Sequence, residues 1–244
     1  MIKGKRVLVG LLGHKHSGQY NDGYGQNEAY IEFFRKYGDV IIIDSQCETV
    51  IPVDLLVLPG GRDVNPIRYG EKPGMQTQPP DLEYEWFFAN MFKHYLSRAE
   101  NFETAIYGIC AGFQNLVVEF GGSLQQSYTQ KQSTKFRGEL VDRLKLNDKY
   151  LLEDPMMSKN YKAYKFKDNY NETNSIHHQA ALESDVTTDF IIVATNKLYD
   201  NVEFIIHKEL PIAAEQSHPE ERVQPLLTHS LLDNLIFKIT KNNE

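Results

Sequence analysis

Short, almost wholly apolar runs alternate with longer segments of helical period through the first half of the chain. The runs are "RVLVGLLG" (6–13), "VIIID" (40–44), "DLLVLPG" (54–60) and "AIYGI" (105–109). Strands apolar on both faces belong in a parallel sheet covered by helices on both sides. The spacing predicts those helices. Tyr30, Phe33, Phe34 and Tyr37 fall at i, i+3, i+4, i+7, with Gly38 as a cap, and residues 81–99 carry Tyr84, Phe88, Met91, Phe92, Tyr95 and Ala99 on one face. After residue 109, Phe113, Leu116, Val117 and Phe120 repeat the period until Gly121 and Gly122 end it.

The later runs "FIIVATN" (190–196), "VEFIIH" (202–207) and "PIAAEQSH" (211–218) are too closely spaced for crossover helices and read as partly antiparallel. A final helix is predicted over roughly 223–239, and 125–172 reads as polar, irregular chain: an exposed strand and loop with solvated lysines. The expected architecture is α/β: one domain over 1–244 with an open, mostly parallel, flavodoxin-like sheet, helices on both faces and a small, partly antiparallel portion.

Charge and cysteine content narrow the function. Against 26 basic residues stand 33 acidic ones, a formal net charge of −7, which argues against general nucleic-acid or anionic-membrane binding. Two cysteines in 244 residues make no disulfide framework and suit a reducing compartment. The N-terminal apolar run is too short for a signal core, and no stretch reaches the length of a membrane span. These features predict a soluble cytoplasmic protein.

The chemistry gathers at "YGICAGFQNLVVEFGG" (107–122), where a strand runs straight into a helix through Cys110. This is the cysteine form of a nucleophile elbow. It puts the sulfur at the carboxyl end of the sheet, where open α/β folds bind ligands, and at a helix N-terminus that favours a thiolate. The small residues Ala111 and Gly112 let a substrate carbonyl approach the backbone, and the Ala111 N–H can point at it. A thiol nucleophile needs a base, and the base needs an orienting group. His218 ends a strand that Pro219 stops, and Glu220 lies two residues on. In "LPGGRDVNPIRYG" (58–70), a glycine-rich turn after a strand, the Gly61 N–H is a candidate second oxyanion donor. The turn lacks the Lys-Ser/Thr ending of a phosphate loop.

Together these pieces resemble the class I glutamine amidotransferase-like superfamily, and within it the γ-glutamyl-γ-aminobutyrate hydrolase type of γ-glutamyl hydrolase. The resemblance rests on "LPGGRDVNPIRYGE", "YGICAGFQNLVVEFGGSL", "NSIHHQAA" (174–181) and "EQSHPE" (215–220), in that order. It implies a Cys110, His218, Glu220 triad and an oxyanion hole from the Gly61 and Ala111 N–H groups. It further implies that Gln114, His178 and Gln179 hold the ends of a γ-glutamyl group, with no cofactor. His177 and His178 have no acidic or cysteine companions at metal-ligand spacing, so no metal is expected.

The implied reaction is cleavage of a γ-glutamyl amide through a thioester, releasing glutamate and an amine. The alternative is a glutaminase subunit supplying ammonia to a separate synthetase; a fold that has lost turnover is a third reading. The expected partner is a small γ-glutamyl substrate, with a homodimer left open and a synthetase only under the alternative. Two positions depart from the pattern: Ala111 where relatives usually carry arginine or leucine, and Ser217 where an aromatic usually precedes His-Pro-Glu. Both departures are expected to open space beside the reacting groups. The loop 13–25, with His14, His16, Tyr20 and Tyr24, reads first as a solvated loop and second as a wall on the leaving-group side, and Cys47 reads as structural.

Overall fold

The computed structural model describes residues 6–16, 23–25, 28–47, 49–126, 141–167, 170–174, 177–222 and 224–241. Strand β1 (Val7–Leu12) leads to a hairpin, β2 (His14–His16) and β3 (Gly23–Gly25), and then to helix α1 (Glu28–Phe34). Next come β4 (Gly38–Ile43), β5 (Leu55–Leu58), α2 (Leu82–Glu100), β6 (Ala105–Ile109) and α3 (Ala111–Glu119). The second half holds β7 (Val141–Leu146), α4 (Asp148–Glu153), α5 (Pro155–Tyr164), β8 (Glu172–Asn174), β9 (Phe190–Asn196), β10 (Val202–His207), β11 (Ile212–Glu215) and α6 (Leu226–Lys241).

Nine strands form one sheet in the order β4-β1-β5-β6-β11-β10-β9-β7-β8. The pairings from β4 to β11 are parallel, and those from β11 to β8 are antiparallel. The sheet is therefore mixed, with half of its pairings parallel, and the expectation of a mostly parallel sheet is corrected. The cause is connection length: β9 to β10 and β10 to β11 are joined by turns too short for a crossover.

Each parallel strand divides its side chains between two cores, with period two. In β5, Leu55 and Val57 join one core while Leu56 and Leu58 join the other. The first core is covered by α1 (Phe33, Phe34), α5 (Met157, Tyr161) and α6 (Leu231, Leu235). The second is covered by α2 (Phe88, Phe92, Tyr95) and α3 (Phe113, Leu116, Val117). Burying side chains of this size stabilises by about 1.5–3 kcal/mol each before the entropy cost of ordering them.

Two expectations change at this level. Gly38 opens β4 instead of capping α1: a Cβ there would lie 1.8 Å from the Val7 carbonyl oxygen, so only glycine lets the two strands pair. The segment read as exposed strand and loop contains α4 and α5 and packs into the first core through Leu151, Met157 and Tyr161. Its helices start on side-chain caps. Asn147 accepts from the Tyr150 N–H, and Asp154, ahead of Pro155, accepts from the N–H groups of Met156 and Met157. Among the described residues no helix is long and apolar enough to cross a membrane.

Candidate active site

β6 delivers Cys110 to the carboxyl edge of the sheet, and β11, its parallel neighbour, delivers His218 three residues past its own end. The Cys110 N–H still donates to the Glu215 carbonyl at 2.9 Å, which ties the elbow to the strand that carries the histidine. Cys110 then turns with φ 51° and ψ −106°, a left-handed-side conformation unusual for a non-glycine residue. This turn starts α3, whose first N–H groups have no side-chain cap. Gly112 serves packing: a Cβ there would lie 2.0 Å from the Leu58 carbonyl oxygen, so its smallness lets α3 sit on β5. That is a different use from the substrate access expected of it.

His218 is held on several sides. Its Nδ1 lies 2.7 Å from Glu220 Oε1 and 3.3 Å from the Tyr30 hydroxyl. The same hydroxyl oxygen accepts from the Gly60 N–H at 3.1 Å. Burial lowers the basicity of His218, but the charge of Cys110, a hydrogen bond to its sulfur, and Glu220 outweigh it, so the imidazole pKa stands well above its usual value. Burial, together with the charges of Glu220 and Cys110, raises the Tyr30 pKa and keeps its phenol neutral. Gly60 sits in the middle: a Cβ there would lie 2.8 Å from His218 Cε1, 2.8 Å from the Tyr30 hydroxyl and 3.4 Å from Cys110 Cβ.

The remaining candidates are spread around this centre. Gly61 is exposed beside Gly60, and Ala111 is buried at the start of α3. Gln114 is buried and donates both to the Gln179 carbonyl at 2.8 Å and to Gln216 Oε1 at 3.2 Å. The Gln179 side chain bridges both backbone groups of Val64, at 3.0 and 3.1 Å, and so fixes the glycine-rich loop. His178 pairs with Asp63 at 2.9 Å while its Nδ1 donates to the Gln126 carbonyl at 3.1 Å. The hydrogen bond to Asp63 is the main reason its pKa is raised. His177 is buried with its pKa lowered to about 4 by desolvation. No group of three or more metal-type side chains occurs among the described residues.

Sequence reasoning missed three neighbours: Tyr30, which lay in a helix read only for its apolar face; Asn174, which opens "NSIHHQAA"; and Gln216, inside "EQSHPE". The Ser217 departure opens no space beside the histidine, which corrects that expectation. Ser217 is fully buried, and its hydroxyl donates to Glu215, which also accepts from Tyr107 at 2.6 Å and from Thr228 at 2.9 Å. Burial raises the pKa of this carboxyl to about 7 against the opposing pull of Ser217, Tyr107, Arg222 and Thr228. Of the 13–25 loop, the strands at 14–16 and 23–25 are described, whereas Tyr20 lies outside the described residues. Cys47 is half-buried and contacts Asp44.

The Peptidase C26 family model matches residues 28–220, more than half of the chain. YvdE of Lactococcus lactis subsp. lactis, named as a glutamine amidotransferase-like protein, is 27% identical over 226 residues, covering 88% of this chain and 91% of its own. Protein NtpR of Enterococcus hirae is 27% identical over 181 residues, 73% of this chain and 69% of its own. Among solved structures, a GMP synthase component from Thermoplasma acidophilum superposes with TM-score 0.61 at 18% identity, covering 98% of each chain. A glutamine amidotransferase of Thermotoga maritima superposes with TM-score 0.54 at 16% identity, again over 98% of each. At such identities these superpositions establish the fold.

Proposed function

The chain belongs to the Peptidase C26 family of glutamine amidotransferase-like proteins, and on that premise we propose that it is a cysteine hydrolase of γ-glutamyl amides. The observation that carries the reading is His218, bonded to Glu220 at Nδ1 and raised in basicity by Cys110. With Nδ1 committed to Glu220, Nε2 is the nitrogen left for the sulfur. A thiolate–imidazolium pair is the form such an arrangement favours near neutral pH.

In this reading the Cys110 thiolate attacks the γ-carbonyl, and the carbonyl electron pair moves to oxygen. The backbone N–H groups of Gly61 and Ala111 receive that oxyanion; the Gly60 N–H is already held by Tyr30. His218 gives its Nε2 proton to the departing amine, and a γ-glutamyl thioester remains. The neutral imidazole then takes a proton from water, and the resulting hydroxide attacks the thioester. Glutamate leaves and the thiolate–imidazolium pair returns. Gln114 uses both amide hydrogens inside the protein, so its Oε1 is the atom it can offer to a substrate ammonium. His178 spends both ring nitrogens inside the protein, on Asp63 and on the Gln126 carbonyl, so in this reading it positions the glycine-rich loop instead of bonding a substrate carboxylate itself.

The names of the relatives favour a second reading, a glutaminase subunit that passes ammonia to a separate synthetase. Both readings share the same chemistry and differ in substrate. The test is glutamate and ammonia release from glutamine and from a panel of substituted γ-glutamyl amines, with wild type and Cys110→Ala side by side. Glutamate from substituted amines, abolished in the variant, is the expected result. Release from glutamine alone selects the second reading, and undiminished turnover by Cys110→Ala rejects both.

A further inference from the structure

We propose that Gln216 is a catalytic donor to the Cys110 sulfur, aimed there by a one-way chain of carboxamides that starts at a main-chain carbonyl. This rests on the reading of Cys110 as the nucleophile. Gln216 Nε2 lies 3.7 Å from Cys110 Sγ, within hydrogen-bond reach for sulfur. The side chain is fully buried, so no water competes for it.

The direction of the bond is fixed by chemistry. A peptide carbonyl only accepts, so the group of Gln114 that lies 2.8 Å from the Gln179 carbonyl must be its NH2. That same NH2 reaches Gln216 at 3.2 Å, and an NH2 group requires an acceptor there, which makes the near atom Oε1. Gln216 must then turn its own NH2 towards the sulfur. A flipped Gln216 would set two NH2 groups against each other in a buried site and present an oxygen to a thiolate. The Gln216 main chain is held as well, its N–H donating to the Glu203 carbonyl at 2.8 Å.

An N–H donor at this point acts twice without giving up its proton. It favours the thiolate before attack, alongside the imidazolium and the start of α3. It favours the thiolate again when the hydrated thioester collapses, as the carbon–sulfur bond breaks and its electron pair returns to sulfur. Gln114 is a positioning residue for this donor.

The experiment is the rate of Cys110 alkylation by iodoacetamide, followed by peptide mapping to separate it from Cys47. It is run at pH 6 and at pH 9 on wild type, Gln216→Met and Gln114→Met, with thermal unfolding as a check on folding. In Gln216→Met the rate at pH 6 is expected to fall about tenfold, the lower end for a hydrogen bond to a charged group. The rate at pH 9 should differ from wild type by much less than the rate at pH 6. Gln114→Met, which leaves the donor in place but removes its orientation, should show a smaller loss of the same sign. An equal loss at both pH values would mean altered access only and would overturn the proposal, as would no loss at pH 6. Should Gln216→Met not fold, Gln114→Met decides by the same two criteria. A Cys110 that does not react in wild type removes the nucleophile and this inference with it. A reactive wild type with unmoved variants rejects Gln216 alone.

Discussion

Asn174 grips the main chain of His218 from both sides. Its Oδ1 accepts from the His218 N–H at 2.9 Å, and its Nδ2 donates to the His218 carbonyl at 3.0 Å. Asn174 ends β8, the last strand of the antiparallel half, so that half of the sheet curls back to hold the histidine. Arg222, just beyond, donates to the Glu172 carbonyl of the same strand. Cutting Asn174 back to alanine leaves the part-buried His218 N–H without its partner, at about 1–3 kcal/mol if no water replaces it, while the carbonyl keeps the Glu221 N–H at 3.2 Å. We expect Asn174→Ala to lower kcat/KM at least tenfold and to lower the thermal midpoint. Steady-state kinetics beside a melting curve check it; unchanged kinetics with a lower midpoint would confine Asn174 to stability.

Glu220 is nearly completely buried and fixes Nδ1 of His218 as the protonated nitrogen. A glutamine there can present its NH2 to Nδ1 and so favour the wrong tautomer. Glu220→Gln is expected to cut kcat by about 10² to 10⁴, the usual worth of a positioned acid–base group. A stopped-flow or endpoint assay of glutamate release reads this directly. A loss under threefold would show that the histidine works without its carboxylate.

Gly60 has no room for a methyl group. An added Cβ would press on His218 Cε1 and on the Tyr30 hydroxyl, both 2.8 Å away. Gly60→Ala should therefore reduce kcat by a factor of ten or more while the chain still folds, since the crowding is confined to the site. Far-ultraviolet circular dichroism and kcat, measured on one preparation, separate the two effects. Full activity in a folded variant would place the reacting groups elsewhere.

Glu215 holds its proton longer in the native state, to about pH 7, than at its ordinary value of 4.5. The sign follows from linkage: the native state binds more protons between those values, so stability falls as pH rises from about 4.5 to 7 and then levels. The groups facing Glu215 are Tyr107 from β6, Ser217 from its own chain segment, Thr228 from α6, the charge of Arg222 and the neutral phenol of Tyr37, whose pKa burial raises. Glu215→Gln cannot lose a proton, so its thermal midpoint should rise relative to wild type across that window. Parallel melting curves from pH 4.5 to 8 test it; a difference that does not change with pH would mean that the carboxyl titrates alike in both states.

Much of the sheet was legible because its strands carry their signal in themselves. Runs at 105–109, 190–196 and 202–207 coincide with β6, β9 and β10. Even so, strand order and the balance of parallel to antiparallel pairings depend on partners that a local pattern does not name. α5 escaped notice because only Met157 and Tyr161 of its face are buried, too few to set a period among its lysines. The Asp154–Pro155 cap was the signal that could have found it. At the site, residue type and motif spacing were enough to single out Cys110, His218 and Glu220. Tyr30 comes from another part of the chain and meets the site only through packing, so no spacing announces it; Asn174 and Gln216 stood inside motifs already singled out, but what each touches depends on the fold. Ser217 was visible as a departure, but its partner Glu215 gains its meaning only once Tyr107 and Thr228 close around it.

The pairing of β6 with β11 joins stretches more than a hundred residues apart, Tyr107 meeting Ala213 and Ile109 meeting Glu215. Contacts of such long range form slowly, because a large loop must close before they repay its entropy. Cys110 and His218 can meet only after that closure, and Asn174 only after β8 has found its place. A chain emerging from denaturant would then recover its helix content first and its chemistry last. A partly folded copy would carry a cysteine without its base, and so would be harmless while incomplete.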